Sequence, residues 1–161
     1  MGFIEGAEDP GDVGVTPIAM DHLLTVVAPT HPWARVGHID AERLARTPLV
    51  CREEGSGTRD VLARALAPLK MAPPALEVHS NAAVRTAVIS GVTPTVISNL
   101  AVRSDLERGR LVAVYVTGID LRRRLLSVWN TPYPTRFDSA LMRLKDQFSD
   151  NSNRQNSASR H

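Results

Sequence analysis

Short apolar runs alternate with helix-forming segments along this chain, and that alternation limits the fold more than any other feature. A continuous apolar run over residues 23–28 stops at Pro29, which predicts a strand buried on both faces. The same patterning predicts strands at residues 2–5, 49–51, 76–79, 95–97, 111–116 and 124–129, and helices at residues 58–67, 81–91, 100–107 and 135–148. Strands and helices that alternate at this pitch are typical of an α/β sheet with helices on its faces.

Several local features refine this pattern. Asp40 is predicted to cap a short helix, and residues 30–33 are predicted to form a loop. The strand at 76–79 alternates as if half-buried, and Gly91 is predicted to end a helix in the left-handed conformation. The basic run at 122–124 indicates the solvated edge of a strand rather than a nucleic-acid surface, because no aromatic residues are interleaved with it.

Composition excludes several classes of protein. With 43% hydrophobic and 22% charged residues, the composition is that of a globular protein rather than of a chain disordered throughout. A net charge of +2 is too small to indicate a nucleic-acid-binding surface. No apolar run approaches the ~20 residues of a membrane helix. The single cysteine, Cys51, excludes an intramolecular disulfide and is predicted to be a buried, inert thiol. The five histidines show no metal-ligand spacing, so we expect neither a metal nor a cofactor. From the lack of a membrane helix and of a secretory signal, we expect a cytoplasmic protein.

The most informative segment for chemistry is Arg52–Arg59, which reads REEGSGTR. Its glycines let the backbone approach a ligand, its hydroxyls can donate hydrogen bonds, and a helix begins at once, so the segment favours an anion. It has neither the lysine of a phosphate-binding loop nor the spacing of a dinucleotide fingerprint or a nucleophile elbow. Ser56 or Thr58 as an ordinary helix cap explains the same residue types, and both interpretations stay open.

A second helix start, at Ser80 and Asn81, also follows a predicted strand directly. Taken alone it is typical of a helix cap. Two helix starts at the same edge of one sheet would converge, and ligands of such sheets sit beyond the carboxyl ends of the strands.

Taken in order, the motifs resemble those of LysR-type transcriptional regulators over residues 2 to about 148. Residues 2–6 (GFIEG) and 21–34 (DHLLTVVAPTHPWA) resemble the strand and crossover of that family. Residues 48–59 (PLVCREEGSGTR) resemble the subgroup of sulfur-assimilation and carbon-fixation regulators. Residues 82–88 (AAVRTAV) and 109–114 (GRLVAV) are similar to the helix and strand that follow.

The resemblance implies an α/β, periplasmic-binding-protein type 2-like fold, with the second lobe complete and the first lobe partial. We expect a remnant of the first lobe and the crossover at residues 1–22, and the second α/β lobe at 23–128. Residues 129–148 would return to the first lobe with a C-terminal helix, and 149–161 would form a disordered tail. The chain would thus begin inside the first lobe, without the winged helix-turn-helix of the family.

The resemblance also implies a function, namely binding a small anionic effector in the cleft between the lobes to control transcription. The effector-binding residues that it implies are Glu5, Ser56, Gly57, Thr58, Asn81 and Ser98. We expect a homo-oligomer whose chain makes no direct contact with DNA or a membrane.

Two alternatives remain. One is a stand-alone module with the same fold that binds a small molecule or a partner. The other is an enzyme with an anion site at Ser56–Thr58, which the absence of a general base within the motif disfavours, so we expect no enzyme activity.

Overall fold

Most of the predicted strands and helices have counterparts in the computed structural model, which describes residues 2–5, 13–130 and 143. The strands are β1 (Gly2–Glu5), β2 (Val13–Val27), β3 (His38–Asp40), β4 (Val50–Arg52), β5 (Leu76–Val78), β6 (Thr95–Ser98), β7 (Val112–Thr117) and β8 (Arg122–Asn130). The helices are α1 (Pro32–Val36), α2 (Ala41–Arg46), α3 (Gly57–Ala65), α4 (Asn81–Ile89) and α5 (Asn99–Glu107). The helix predicted at 135–148, apart from residue 143, and the predicted tail at 149–161 lie outside the described residues.

The chain divides into two compact units, one formed by residues 21–122 and the other by residues 1–20 together with 123–161. In the second unit β1 pairs antiparallel with β8, with Gly2 opposite Val128 and Glu5 opposite Leu125. This pairing confirms the strand predicted at the start of the chain. The lobe boundaries predicted at residues 23 and 128 stay predictions.

The unit of residues 21–122 is built on a mixed sheet with the strand order β5–β4–β6–β2–β7–β3. Strand β4 runs parallel to β5 and β6, whereas β2 runs antiparallel to β6 and β7. Helices follow β4, β5 and β6 directly. The predicted α/β arrangement is therefore confirmed.

Apolar side chains pack into two clusters that share β2. Val27 belongs to the cluster that contains Trp33 and Leu44, and Val26 belongs to the cluster that contains Val84. Adjacent residues of a strand point to opposite faces of a sheet. Because Val26 and Val27 are both fully buried, the prediction of a strand buried on both faces is confirmed.

The predicted loop at residues 30–33 is wrong at its second half, where Pro32 begins α1. His31 caps this helix, since its Nδ1 accepts a hydrogen bond from the Trp33 N–H at 3.1 Å. Proline suits the first helical position because it has no N–H to satisfy there. Burial of the Trp33 ring then holds a helix of only five residues against the sheet.

Two other local predictions need correction. Strand β5 is less buried than predicted, because it pairs only with β4 among the described residues: Leu76 and Glu77 are exposed, and only Val78 is partly buried against a core cluster. In the basic run at 122–124, Arg122 is exposed and paired with Asp120, but Arg123 is only 5% exposed. The run is thus not wholly solvated.

Cys51 is buried in β4 as predicted. Burial raises the pKa of its thiol, and this effect exceeds the opposite influence of Arg59. The thiol therefore stays protonated and weakly reactive at neutral pH. Within the described residues, no helix has the length and apolar character needed to cross a membrane.

Candidate ligand-binding site

Three helix N-termini lie together at one edge of the sheet, namely the edge formed by the carboxyl ends of its parallel strands. Because β5, β4 and β6 are parallel, their carboxyl ends lie together, with Arg52 opposite Val78 in the β4–β5 ladder. Helices α3, α4 and α5 begin within a few residues of those ends. The first N–H groups of a helix lack carbonyl partners and carry partial positive charge. This edge therefore favours acceptor atoms and negative charge in a ligand.

The loop between β4 and α3 is shaped by two residues of the GSG triplet. Gly55 has a φ of +80°, a conformation that residues with a Cβ rarely adopt. Ser56 caps α3, and its Oγ accepts a hydrogen bond from the Arg59 N–H at 3.3 Å. The cap uses a lone pair of Ser56 and leaves its proton available, so capping and ligand binding are compatible in one residue.

Arg52 joins the end of β4 to the start of α4. Its Nε and Nη2 each donate to a carboxylate oxygen of Glu53 at 2.7 Å, and its Nη1 donates to Oδ1 of Asn81 at 2.9 Å. The hydrogen bonds from Arg52 lower the pKa of Glu53 to about 2, so this carboxyl is ionised at neutral pH. A planar guanidinium can satisfy three acceptors in this way because its donors form a rigid fork.

Arg59 ties α3 to its surroundings from the other side of the loop. Its guanidinium donates to the Arg52 carbonyl oxygen at 3.0 Å and also contacts the carboxylates of Glu54 and Glu77. Hydrogen bonding to Glu77 raises the pKa of Arg59 above its usual value, so the guanidinium stays charged. Arg59 therefore connects the loop, α3 and β5 through its hydrogen bonds.

The predicted site residues Ser56, Gly57 and Thr58 lie together in the first turn of α3 and its cap. Gly57 is the first helical residue, and Thr58 is 5% exposed. Asn81 is joined to this loop through Arg52. These four residues share the edge described above, as the sequence predicted.

The other two predicted residues have different surroundings. Ser98 is buried, donates its hydroxyl proton to Oδ1 of Asp21 at 3.0 Å and accepts from the Leu100 N–H at 3.2 Å. A ligand would have to compete with Asp21 for that proton. Glu5 lies in β1 of the other unit, and its role stays a prediction.

No individual role was predicted for Arg52, Arg59 or Asp21. The two arginines flank the GSG triplet, and two positive charges next to a glycine-rich helix start could have indicated their role in this loop. Asp21 meets Ser98 across 77 positions of sequence, and no local pattern marks such a pair. No group of three potential ligands in the described part of the chain could hold a metal ion.

Comparison with known proteins agrees with the motif order. The family model described as LysR substrate binding domain matches residues 1–144. The chain belongs to this family. The members of this family are domains of transcriptional regulators, so it is not a family of enzymes.

Among curated relatives, the HTH-type transcriptional regulator Rv2282c of Mycobacterium tuberculosis is 45% identical over 135 residues. The alignment covers 80% of this chain and 43% of that protein, so the chain spans less than half the length of the first relatives it matches.

Solved structures show the same fold. The regulatory domain of Synechocystis CcmR, solved in complex with 2-PG, has a TM-score of 0.77 and 21% identity and covers 91% of this chain and 72% of that one. The effector-binding domain of QuiR, solved in complex with shikimate, has a TM-score of 0.69 and 18% identity and covers 92% of this chain and 71% of that one. The predicted fold class of a LysR substrate-binding domain is thus confirmed.

Proposed function

We propose that this LysR substrate-binding domain binds a small anionic effector at the edge formed by α3 and α4, and thereby controls transcription. The observation that carries the proposal is the convergence of helix N-termini beside the Arg52 fork. Gly57 and its neighbours offer amide donors, Ser56 and Thr58 offer hydroxyls, and Asn81 offers an amide. The complexes of CcmR with 2-PG and of QuiR with shikimate support small-molecule binding.

The regulator as a whole would act in the cytoplasm and read DNA through a part other than this chain, as the HTH-type names of the relatives suggest. The chain is further proposed to form a homo-oligomer and to have no enzyme activity. Size-exclusion chromatography with light scattering tests the oligomer, and a strictly monomeric protein at high concentration would contradict it.

Thermal shift measurements test anion binding. The probes are sulfate, phosphate, acetate, 2-PG and shikimate. A probe present at 100 times its dissociation constant stabilises the folded state by about 2.7 kcal/mol, which raises the Tm of a domain of this size by about 5 °C or more. We expect such a shift for at least one probe.

Thr58→Ala should abolish that shift, whereas Thr58→Ser, which keeps the hydroxyl, should retain most of it. Thr47→Ala is the matched control, because Thr47 lies just before the amino end of β4, at the opposite edge of the sheet. No shift with any probe in the folded wild-type protein would contradict the proposed site.

A further inference from the structure

We infer that Arg52 is a positioning residue that turns the acceptor atoms of its neighbours away from the ligand, so that this edge of the sheet presents donors. The inference rests on the proposed function for its ligand and on the Arg52 hydrogen bonds for its geometry. Arg52 then sets the preference of the site for anions, and it need not contact the bound anion itself.

The side chain of Asn81 is oriented by this contact. An amide has one acceptor oxygen and one donor NH2 group, and a guanidinium can only donate. The atom of Asn81 that lies 2.9 Å from Arg52 Nη1 must therefore be the oxygen, Oδ1. Consequently Nδ2 faces away from Arg52, and it donates to no other described residue.

The carboxylate of Glu53 is held by the same guanidinium. Both of its oxygens accept from Arg52 at 2.7 Å, and its side chain is only 28% exposed. An ionised carboxylate three positions before Ser56 would repel an anion bound at the start of α3. Arg52 compensates this charge and fixes the position of both oxygens.

Arg59, in contrast, does not perform this task. It is shared between Glu54 and Glu77, and it donates to the backbone carbonyl of Arg52. Of its carboxylate partners, Glu77 lies in β5 and Glu54 is 87% exposed. Arg52 is therefore the residue to change.

The first experiment needs no ligand. In the wild-type chain, NMR should show Glu53 titrating near pH 2 and Asn81 Nδ2 signals at one defined pair of chemical shifts, as expected for a side-chain amide held in a single orientation. The charge of His79 also acts on the Glu53 carboxyl and is common to the wild type and the variant. Arg52→Met should raise the pKa of Glu53 by about two units, toward the usual value for glutamate, and shift the Asn81 signals.

The matched control is Arg46→Met, which removes an arginine from an exposed pair with Glu42 in α2 and should change neither signal. A wild-type Glu53 that titrates like a free glutamate would overturn the inference. Unchanged Asn81 signals in a folded Arg52→Met variant would overturn it as well.

The second experiment uses sulfate as the probe. Arg52→Met should weaken sulfate binding about tenfold, which corresponds to about 1.4 kcal/mol, because the negative charge of Glu53 is then no longer compensated. Adding Glu53→Gln should restore a large part of the affinity, because the exposed negative charge is then gone. Arg46→Met should bind sulfate like the wild type.

The two experiments separate the two proposals. No rescue by Glu53→Gln would mean that Arg52 contacts the anion directly, and this would overturn the inference while the proposed function stands. If the NMR results hold and sulfate and every other probe fail to bind the wild type, the orientation of Asn81 and Glu53 is supported and the proposed function fails.

Discussion

Two clusters of arginine and carboxylate groups occupy this domain and differ mainly in the burial of the carboxylate, which is complete for Asp105 and partial for Glu53. The edge cluster comprises Arg52, Glu53 and Asn81 and lies at the carboxyl ends of the parallel strands. The second cluster, called the buried cluster after its carboxylate, comprises the fully buried Asp105 and two arginines at its rim, Arg85 and Arg110, whose side chains are 33% and 44% exposed. The same chemistry therefore occurs once beside a helix N-terminus and once around a buried carboxylate.

The buried cluster joins three elements through one carboxylate. Asp105 in α5 is fully buried and accepts from Nε of Arg85 in α4 at 2.6 Å, while Arg110 pairs with its other oxygen. The backbone carbonyl of Asp105 also accepts from the Arg110 N–H at 2.8 Å. Asp105 thus connects α4, α5 and the segment that leads into β7.

Burial of the carboxylate determines what such a cluster does. A carboxylate removed from water needs all of its partners to offset desolvation, so the buried cluster is committed to packing. The edge cluster is partly solvated, and the donor groups beside it remain available to a ligand. We expect changes in the buried cluster to act on stability and changes in the edge cluster to act on binding.

The largest expected effect is that of Asp105→Asn. Loss of the charge weakens the hydrogen bonds from Arg85 and Arg110 and should lower the free energy of unfolding by about 2 kcal/mol, within the range for charge-assisted hydrogen bonds, because both arginines stay partly hydrated. Urea denaturation measures this difference. The control is Glu107→Gln in the same helix, which loses an exposed pair with Arg103 and should cost about 0.5 kcal/mol or less.

Equal losses for Asp105→Asn and Glu107→Gln would break the distinction between buried and exposed clusters. An unchanged free energy of unfolding in Asp105→Asn would do the same.

The pH dependence of stability sharpens the comparison. Hydrogen bonding to Arg85, with further help from Arg110, holds the pKa of Asp105 below its usual value. A carboxyl whose folded-state pKa is depressed stabilises the protein above its unfolded-state pKa of about 3.9, and this contribution is lost as the pH falls through the folded-state value.

The gap in stability between wild type and Asp105→Asn should therefore be constant above about pH 5 and shrink below about pH 4. Urea midpoints measured across this range test it. Glu53 and Asp120, whose pKa values are also lowered, are common to both proteins and cancel in the difference. A gap that widens in acid would contradict the assignment.

The smallest expected effect comes from the helix caps. Ser56→Ala and Ser80→Ala each remove an N-cap hydroxyl, which accepts at 3.3 Å in the first case and 3.1 Å in the second. Each should cost about 1 kcal/mol of stability. Ser56→Ala alone should also reduce binding of the anion that shifts the wild-type Tm, because only Ser56 is proposed to contact it.

Equal stability losses without any difference in binding would make Ser56 an ordinary cap. Circular dichroism melts and the probe panel provide both measurements.

Local interactions were predictable from the sequence because their partners lie a few positions apart. Asp40, Ser56 and Ser80 each cap a helix through the N–H three residues on, and residue type and spacing reveal such contacts directly. The left-handed conformation of Gly91 was predictable for the same reason. Helix α1 was missed because its stability comes from burial of Trp33 rather than from its five residues.

By itself, the sequence determined the alternation of strands and helices, the apolar character of β2, the helix caps and the place of the GSG loop before α3. Only the tertiary structure decided that Arg52 meets Asn81 across 29 positions, and that Asp105 meets Arg85 across 20. The physical reason is that hydrophobic periodicity and capping are local, whereas the partner of a charged side chain is set by which strands are neighbours. The β5–β4–β6 order brings the edge cluster together, and the packing of α4 against α5 assembles the buried one.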